Sequence, residues 1–503
     1  MKLKKWELAV NYWPKVIYGK KRPSINSYLS YIHALKSSGK NDTTVHVLQE
    51  AILRFPKNNK LKIKLFEQLI LSKKWDEAID LWEQELYYIA KKDKRILVSI
   101  IKAYKKRGIY GRAEQIIKDG LKDNYDSIML MEYVDIAIRQ KKWELALYRI
   151  KVYFKDDRTN SSFEIKIIEI MLMKILGKEE SKDFYNNYKN HIKDSKRNYR
   201  RITIFNNGES KIDYYKKFNH NNSVIITFDS ANMIWKNSPF AFKLLIRQNV
   251  DIIAVRKRRA KAKHQDLSRE EFYNVVNKLV TTYKETLAYG YSLGGYTSLY
   301  YGSMLECNIL SLAPRLSMHP VFGKKDKMDP INFKHIQHIP YNKNINPVIV
   351  FDPKQRLDNT YVQEGLINSF PNAHLIKIPY GGHGIAPHLL RTGQLKKFIL
   401  TLINENEIPV YDSTKKRESN IYLRVLAQAC YNRNKINWAR QLVESSLKLK
   451  ADDLYAIRLK IKILKKQENY KEALDYTSGV IKLMPKEKTL KRVLSELKNY
   501  NQT

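Results

Sequence analysis

Ser292 is the residue of this chain whose neighbours best suit it to act as a nucleophile. It lies between Gly290 and Gly294, where a strand-like stretch gives way to a helix-like one. Such a turn needs glycines because the strand and the helix pack tightly around a strained serine. The turn exposes the serine oxygen and directs the amide of Leu293 to the place where an oxyanion would form. The spacing therefore predicts an acyl-transfer site, although a serine taken alone here also fits an ordinary turn.

A histidine and two aspartates further along the chain could complete this chemistry. His383 stands among glycines after the last predicted strand, and it is the expected general base that takes the serine proton. Asp358, just before a predicted helix, is the preferred orienting acid. Asp352 is the rival because it lies nearer the end of its strand, in which case Asp358 would only cap the helix. Each residue alone also fits a loop, so the prediction depends on the three acting together.

Alternating strands and helices predict the scaffold that would position these residues. The alternation predicts a mostly parallel sheet with helices on both faces, in which functional residues gather at the carboxyl ends of the strands. The predicted strands are 201–205, 223–228, 251–255, 286–289, 308–312, 347–351 and 373–378. The predicted helices are 240–248, 269–283, 295–305, 359–369 and 389–403.

The serine turn, the order Ser, Asp, His and the Gly-Gly-His ending together resemble the α/β-hydrolase family over residues 199–408. The resemblance implies a covalent acyl-enzyme on Ser292, with His383 as base and Asp358 as acid. It also implies the Leu293 amide as one oxyanion donor. It does not imply the acyl acceptor, since water gives an esterase and a sugar hydroxyl gives an acyltransferase.

The second oxyanion donor is expected from the turn after the predicted strand 223–228. The backbone amides of Asp229 and Ser230 are the candidates. This turn lacks the His-Gly pair that is common in the family. The alternative is an Asx or Ser turn without a catalytic part.

Small residues recur in the helical stretches on both sides of this segment, at a spacing near 34. Ala78, Ala113 and Ala146 are 35 and 33 residues apart, and Ala439 and Ala473 are 34 apart. A small residue at this period lets two helices of one repeat approach closely. The pattern resembles the tetratricopeptide family, although any solenoid of helical hairpins would give a similar one. We predict all-α, tetratricopeptide-like repeats over residues 1–198 and 409–503.

The chain is strongly basic, with 92 Lys and Arg against 51 Asp and Glu and a formal net charge of +41. Such a charge favours an anionic partner: nucleic acid, an anionic membrane face or an acidic polysaccharide. Six basic residues directly follow the strand 251–255, on the rim expected to carry Ser292, and Arg315 follows the strand 308–312 in a predicted lid. We predict that they bind the substrate, the alternative being an ordinary solvated surface. These residues are Arg256, Lys257, Arg258, Arg259, Lys261, Lys263 and Arg315.

The remaining features concern the compartment and metals. The chain has two cysteines, far apart, and no apolar run of about 18 residues. Both features favour a cytoplasmic protein. We also consider peripheral contact with the inner face of the membrane. His335 and His338 have no evident third ligand nearby, so we predict no metal site.

The function predicted from the sequence is a serine-dependent acyl-transfer enzyme, by analogy with bacterial polysaccharide-modifying esterases and O-acetyltransferases. The substrate would be an anionic surface polysaccharide or glycan, of the kind made in capsule polysaccharide biosynthesis. A hydrolase would need no cofactor, whereas a transferase would use acetyl-CoA as acyl donor. The alternative is a catalytically inactive scaffold whose repeats bind a protein partner. Nucleic-acid binding is disfavoured because no zinc, RRM or helix-turn-helix signature is present.

Overall fold

The computed structural model describes residues 2–19, 23–123, 127–155, 163–179 and 198–500. The chain forms two compact units, Met1–Leu172 and Met173–Thr503. This division differs from the three predicted domains, because the C-terminal helices belong to the same unit as the sheet. Residues 180–197, at the end of the first predicted repeat region, lie outside the described residues.

The first unit is made of successive helices that pack against their neighbours. The small residues of the predicted repeat, Ala78, Ala113 and Ala146, are fully buried. Their burial is what the close approach of paired helices requires, so the helical-repeat prediction is confirmed for this region. A π-helical segment, Trp82–Leu86, joins the fifth and sixth helices. The α-helices in chain order are α1 Lys2–Tyr18, α2 Ile25–Ser37, α3 Asn41–Arg54, α4 Asn59–Leu71, α5 Trp75–Leu81, α6 Tyr87–Ala90, α7 Lys94–Arg107, α8 Tyr110–Asp123, α9 Ser127–Arg139, α10 Trp143–Lys155 and α11 Phe163–Ile175.

The second unit contains an eight-stranded sheet in the order β1-β2-β4-β3-β5-β6-β7-β8. β1 and β2 pair antiparallel and β2 pairs antiparallel with β4, whereas every pair among β3 to β8 is parallel. The chain passes from β3 to β4 on one side and then returns to β5 on the other, which makes the carboxyl ends of β3 and β5 the switch point of the sheet. The strands are β1 Tyr199–Asn206, β2 Ser210–Lys217, β3 Ser223–Phe228, β4 Asp251–Lys257, β5 Glu285–Tyr291, β6 Asn308–Leu312, β7 Val348–Phe351 and β8 His374–Lys377.

Helices cover both faces of this sheet, as predicted. Successive strand residues point to opposite faces. On one face Leu287 belongs to a core shared with Leu389 and Phe398, which lie on two of the later helices. On the other face Phe228 stacks on Tyr301. The helices are α12 Phe242–Leu245, α13 Arg269–Val280, α14 Leu293–Gly302, α15 Arg356–Thr360, α16 Ile367–Ser369, α17 Ile385–Arg391 and α18 Leu395–Leu400.

Two predicted helices in this region differ from the observed ones. The predicted helix 240–248 is only one turn long, as α12. The predicted helix 389–403 is interrupted between α17 and α18, because Gly393 adopts a φ of +71° and ends the first of them. π-helical segments, Tyr361–Leu366 and Thr401–Glu405, continue α15 and α18, and short 3₁₀ helices occupy Ala260–Ala262 and Ser413–Glu418.

The C-terminal helices repeat the pattern of the first unit. Ala439 and Ala473, which define the predicted spacing, are fully buried. These helices are α19 Asn420–Asn432, α20 Ile436–Leu449, α21 Leu454–Lys466, α22 Tyr470–Leu483 and α23 Lys488–Tyr500. Within the described residues, every helix is too short or too polar to cross a bilayer. The architecture is an α/β-hydrolase fold with helical repeats before and after it in the chain.

Candidate active site

Ser292 lies at the sharp turn between β5 and α14, with a φ of +58° that a serine rarely adopts. The flanking glycines make this turn sterically feasible. A Cβ on Gly290 would lie 1.9 Å from the Gly294 carbonyl oxygen, and a Cβ on Gly294 would lie 2.5 Å from the Phe228 carbonyl oxygen. The strand end, the turn and the start of α14 therefore pack backbone against backbone around the serine.

The structure brings Ser292, His383 and Asp358 together in one hydrogen-bonded series. Ser292 Oγ lies 2.8 Å from His383 Nε2, and His383 Nδ1 lies 2.9 Å from Asp358 Oδ2. Asp358 is fully buried, whereas the His383 side chain is about one quarter exposed. In this geometry the imidazole can accept the serine proton at Nε2 while the carboxylate fixes its orientation through Nδ1.

Asp352, the rival acid, holds the loop that carries the histidine instead. One of its carboxylate oxygens accepts a hydrogen bond from the Lys354 amide and the other accepts one from the Gly382 amide, each at 2.8 Å. Burial raises the pKa of Asp352 above its usual value, while those two amide hydrogen bonds lower it. Tyr291 adds a second constraint, because its hydroxyl donates to the His383 carbonyl at 2.9 Å. Asp352 and Tyr291 therefore position His383 through its backbone.

Arg315, which was predicted to bind the substrate, has its guanidinium against the acid of this series. Its Nε donates to Asp358 Oδ1 at 2.7 Å, and its Nη2 lies 2.5 Å from the same oxygen. Its backbone amide also donates to the Ser292 carbonyl at 3.1 Å. The guanidinium thus binds Oδ1 of Asp358, the oxygen that does not contact His383. The Arg315 backbone amide stabilises the serine turn through its hydrogen bond to Ser292. Arg315 is in this structure a positioning residue for both ends of the series.

The two predicted oxyanion turns have different outcomes. The Leu293 amide is the first of α14, so it has no acceptor within its own helix and remains available to a ligand. The Asp229 amide donates to the Val255 carbonyl at 3.2 Å, which contradicts its predicted role as a donor. Ser230 follows in the same turn and remains the candidate for the second donor.

The basic run that begins with the last two residues of β4 also differs from its prediction, because those two residues point into the protein. Arg256 donates to Asp229 Oδ2 at 2.8 Å and to the carbonyls of Ile234 and Asn237. Lys257 donates to the carbonyls of Ser230 and Met233. Both side chains are almost fully buried, so they fold the loop after β3 and are not available to a substrate.

The rest of this run likewise lies away from the histidine. Arg258 and Arg259 pair with Glu209 on the turn between β1 and β2, at 3.5 and 2.9 Å. Lys261 and Lys263 are not among the residues that line the cavity next to His383. The prediction is wrong for Arg256 and Lys257, because a charged residue at a strand end can face either the solvent or the adjoining loop, and the sequence does not distinguish the two. For Arg258, Arg259, Lys261 and Lys263 it stays a prediction.

That cavity has a volume of about 1230 Å³ and is lined by both the sheet domain and the C-terminal repeats. Its wall carries eight basic side chains against two carboxylates, those of Asp352 and Asp453. Five of the eight belong to the segment from α19 to α21, and no local sequence pattern connects that segment with the site. The basic residues are Arg315, Lys354, Arg391, Arg424, Arg433, Lys450, Arg458 and Lys462.

No protein-family model matches the sequence, and no curated protein matches it. Among solved structures, the chain is similar to a complex described as Naa15/Naa10 bound to HypK-THB, with a TM-score of 0.33 and 12% identity over 99% of this chain. The chain spans 59% of the length of that protein.

Further similar structures match the sheet domain. An esterase of Pyrococcus furiosus has a TM-score of 0.28 and 14% identity, covering 41% of this chain and 90% of its own. A carboxylesterase of Bacillus subtilis has a TM-score of 0.27 and 11% identity, covering 44% of this chain and 96% of its own. The assignment of the fold therefore depends on the strand order and the serine turn of the chain itself.

Proposed function

We propose that this protein is a serine hydrolase that removes an acyl group from an ester through an acyl-enzyme on Ser292. The observation that supports it is the series Ser292–His383–Asp358, closed at 2.8 and 2.9 Å. In the first step the serine oxygen bonds to the ester carbonyl carbon while its proton moves to His383 Nε2. The tetrahedral oxyanion is held by the Leu293 amide and collapses as the alcohol leaves with that proton.

In the second step a water molecule gives its proton to His383 and attacks the acyl carbonyl. Collapse of the new tetrahedral species releases the carboxylic acid and returns the proton to Ser292. A sugar hydroxyl in place of water would make the same intermediate a transferase, with acetyl-CoA as its acyl donor. We take water as the acceptor because the hydrolase needs no component beyond the residues of the site.

The proposed substrate is an O-acylated anionic polysaccharide or glycan. The excess of basic over acidic side chains around the cavity supports an anionic substrate, because a wall with surplus positive charge attracts a negatively charged ligand. A scaffold without activity has less support, because it would have no use for a buried carboxylate aligned on a histidine and a strained serine. A protein partner for the repeats remains a prediction.

Labelling and turnover together test the proposal. We expect a fluorophosphonate probe to label the wild-type protein on Ser292, and p-nitrophenyl acetate to be hydrolysed. The substitution Ser292→Ala should abolish labelling and lower kcat/KM by at least about 10³-fold, because no other group can form the acyl-enzyme.

Ser298→Ala is the matched control, since Ser298 lies on the same helix and its hydroxyl donates only to the Gly295 carbonyl among the hydrogen bonds of the described residues. It should keep both labelling and turnover. If acetyl-CoA gives a burst of acyl-enzyme that is hydrolysed only slowly, the acyl acceptor is not water and the protein is a transferase. Absence of labelling in folded wild-type protein would contradict the proposed function.

A further inference from the structure

The histidine loop of the site rests directly on the first helix of the C-terminal repeats. A Cβ on Gly382 would lie 2.9 Å from Val425 Cγ2, and a Cβ on Gly384 would lie 3.0 Å from Ile421 Cγ2. These two glycines bracket His383, and the two apolar side chains are on α19. The repeats are therefore part of the wall of the active site, and their side chains share one cavity with His383.

α21 also contributes to that wall, and a polar network holds its first turn in place. Asp453 caps α21 by accepting the amides of Tyr455 and Ala456, and its other oxygen accepts from Asn420 Nδ2 at 2.9 Å. Arg424 lies 3.5 Å from the same carboxylate and over the Tyr455 ring. The carboxylate of Asp453 is thus fully used within the protein, as is that of Asp352. Asp453 pairs with Arg424, and neither carboxylate forms an ion pair with Arg458 or Lys462 among those of the described residues.

Two of those cations form a pair on one face of α21. Arg458 and Lys462 are four residues apart on the helix, so their side chains are neighbours. Arg458 donates to Thr489 Oγ1 at 2.9 Å and lies 3.8 Å from Glu487, which leaves part of its planar fork free. Lys462 is exposed and has no ion pair within the described part of the chain. Both line the cavity that contains His383.

We infer that Arg458 and Lys462 bind an anionic group, carboxylate or phosphate, on the alcohol side of the ester that Ser292 cleaves. The inference rests on the proposed function and names its specificity element. His383 returns its proton to the leaving oxygen, so the alcohol lies on the His383 side of the ester, and that is the side where the cavity shared with α21 opens. The C-terminal repeats then select esters whose leaving alcohol is negatively charged.

Three acetate esters that differ in one substituent test this specificity. 4-Acetoxybenzoate carries a carboxylate on its leaving phenol, 4-acetoxyphenyl phosphate carries a phosphate, and 4-acetoxybenzamide is neutral. We expect the wild-type protein to favour at least one of the anionic esters over the amide by about tenfold or more in kcat/KM. Preference for the carboxylate or for the phosphate identifies the source of the anion, and equal use of all three esters overturns the inference.

The double substitution Arg458→Gln with Lys462→Gln locates the preference. It should lower kcat/KM for the favoured anionic ester by about tenfold, mainly through KM, and leave the neutral amide within about twofold. Lys466→Gln with Lys471→Gln is the matched control. It removes the same charge from exposed positions of the repeats that do not line the cavity, and should keep the preference. An equal loss for anionic and neutral esters would mean that the α21 pair has only a structural role.

A binding measurement keeps this inference separate from the proposed function. Calorimetric titration of the Ser292→Ala protein with 4-hydroxyphenyl phosphate and 4-hydroxybenzoate needs no catalysis. Weaker binding in the α21 double variant supports the anion site even where no ester is hydrolysed. Unchanged binding in a variant with an unaltered melting temperature overturns the anion site, whatever the fate of the ester chemistry.

Discussion

At the scale of single residues, the site divides two aspartates between two tasks. Asp358 contacts the imidazole of His383, and Asp352 contacts the backbone of the loop that carries it. The distinction is one of atoms: a carboxylate on Nδ1 sets the direction of Nε2, whereas a carboxylate on the Gly382 amide sets the path of the chain. Substitution of each aspartate should therefore affect different measurements.

We expect Asp358→Asn to lower kcat by about 10³- to 10⁴-fold, because an amide in place of the carboxylate can favour the wrong tautomer of His383. Asp352→Asn should keep activity within about tenfold and lower the free energy of unfolding by about 1.5–3 kcal/mol, since it weakens hydrogen bonds to a charged acceptor. Steady-state kinetics with p-nitrophenyl acetate and urea unfolding measure the two effects. Equal losses of kcat in both variants would contradict this division of tasks.

The sequence predicted the residues of this site that belong to local motifs. Ser292, Asp358 and His383 each follow a strand of the sheet with a recognisable neighbourhood, so their positions follow from the order of the elements. The role of Arg315 depends on its distance to Asp358, 43 residues away, and no local pattern encodes that distance. Arg458 and Lys462 were not predicted because their meeting with His383 depends on how the repeats pack on the sheet domain.

At the scale of elements, the serine turn is stabilised by close backbone contact. Gly294 lies in the first turn of α14, and its α-carbon faces the carbonyl at the end of β3. That contact joins three elements at the switch point of the sheet. A side chain there would push α14 away from β3 and move both Ser292 and the Leu293 amide.

Gly294→Ala should therefore destabilise the protein by about 3 kcal/mol, because its Cβ would lie 2.5 Å from the Phe228 carbonyl oxygen. Gly479→Ala is the matched control. Gly479 is also inside a helix, α22, and a Cβ there would meet no atom within 4 Å. It should raise stability by about 0.5–1 kcal/mol through helix propensity. The midpoint of urea unfolding measures both, and a neutral Gly294→Ala would contradict the packing argument.

The sheet itself was predicted apart from β2, which shows where pattern reading fails. β2 contains Lys216 and Lys217, and a strand with adjacent lysines gives no apolar alternation. Both lysines are buried in the structure because Asp251 on β4 supplies a counter-charge to Lys216, at 3.1 Å, and Lys217 donates to the Gln248 carbonyl. The strand is stable through partners outside it, which the local sequence does not contain.

At the scale of the whole molecule, the basic residues behind the net charge of +41 have different locations and different partners. Part of it is used internally, by Arg256 and Lys257, which fold the loop after β3. Another part lines the cavity beside His383. His264, a fully buried histidine that follows the basic run, contacts the loop after β3 and so couples the structure of that loop to pH.

His264 should make stability depend on pH in the acid range. Its Nε2 faces the Asp229 carbonyl at 3.0 Å and so carries the hydrogen, while Nδ1 has no hydrogen-bond partner among the described residues. Burial, and then the nearby charge of Lys257, lower the pKa of His264 to about 3. The pKa is near 6.5 in the unfolded chain. Between these values the unfolded chain binds more protons than the folded one, so stability is complete above pH 6.5 and falls as the pH decreases.

His264→Gln separates this contribution from the other buried histidines, because they remain in both proteins and cancel in the comparison. Glutamine keeps a donor for the Asp229 carbonyl but does not titrate. The wild-type protein should lose about 1.6 kcal/mol more than the variant between pH 6.5 and pH 5, since one group contributes about half of 1.4 kcal/mol per pH unit at pH 6.5 and nearly all of it at pH 5. Urea unfolding at both pH values measures the difference.

His374→Gln, at an exposed position of β8, should keep the wild-type dependence, because solvent reaches that side chain in both states. Parallel pH profiles for the wild type and His264→Gln would show that water enters beside Nδ1, and that this segment does not exclude the proton.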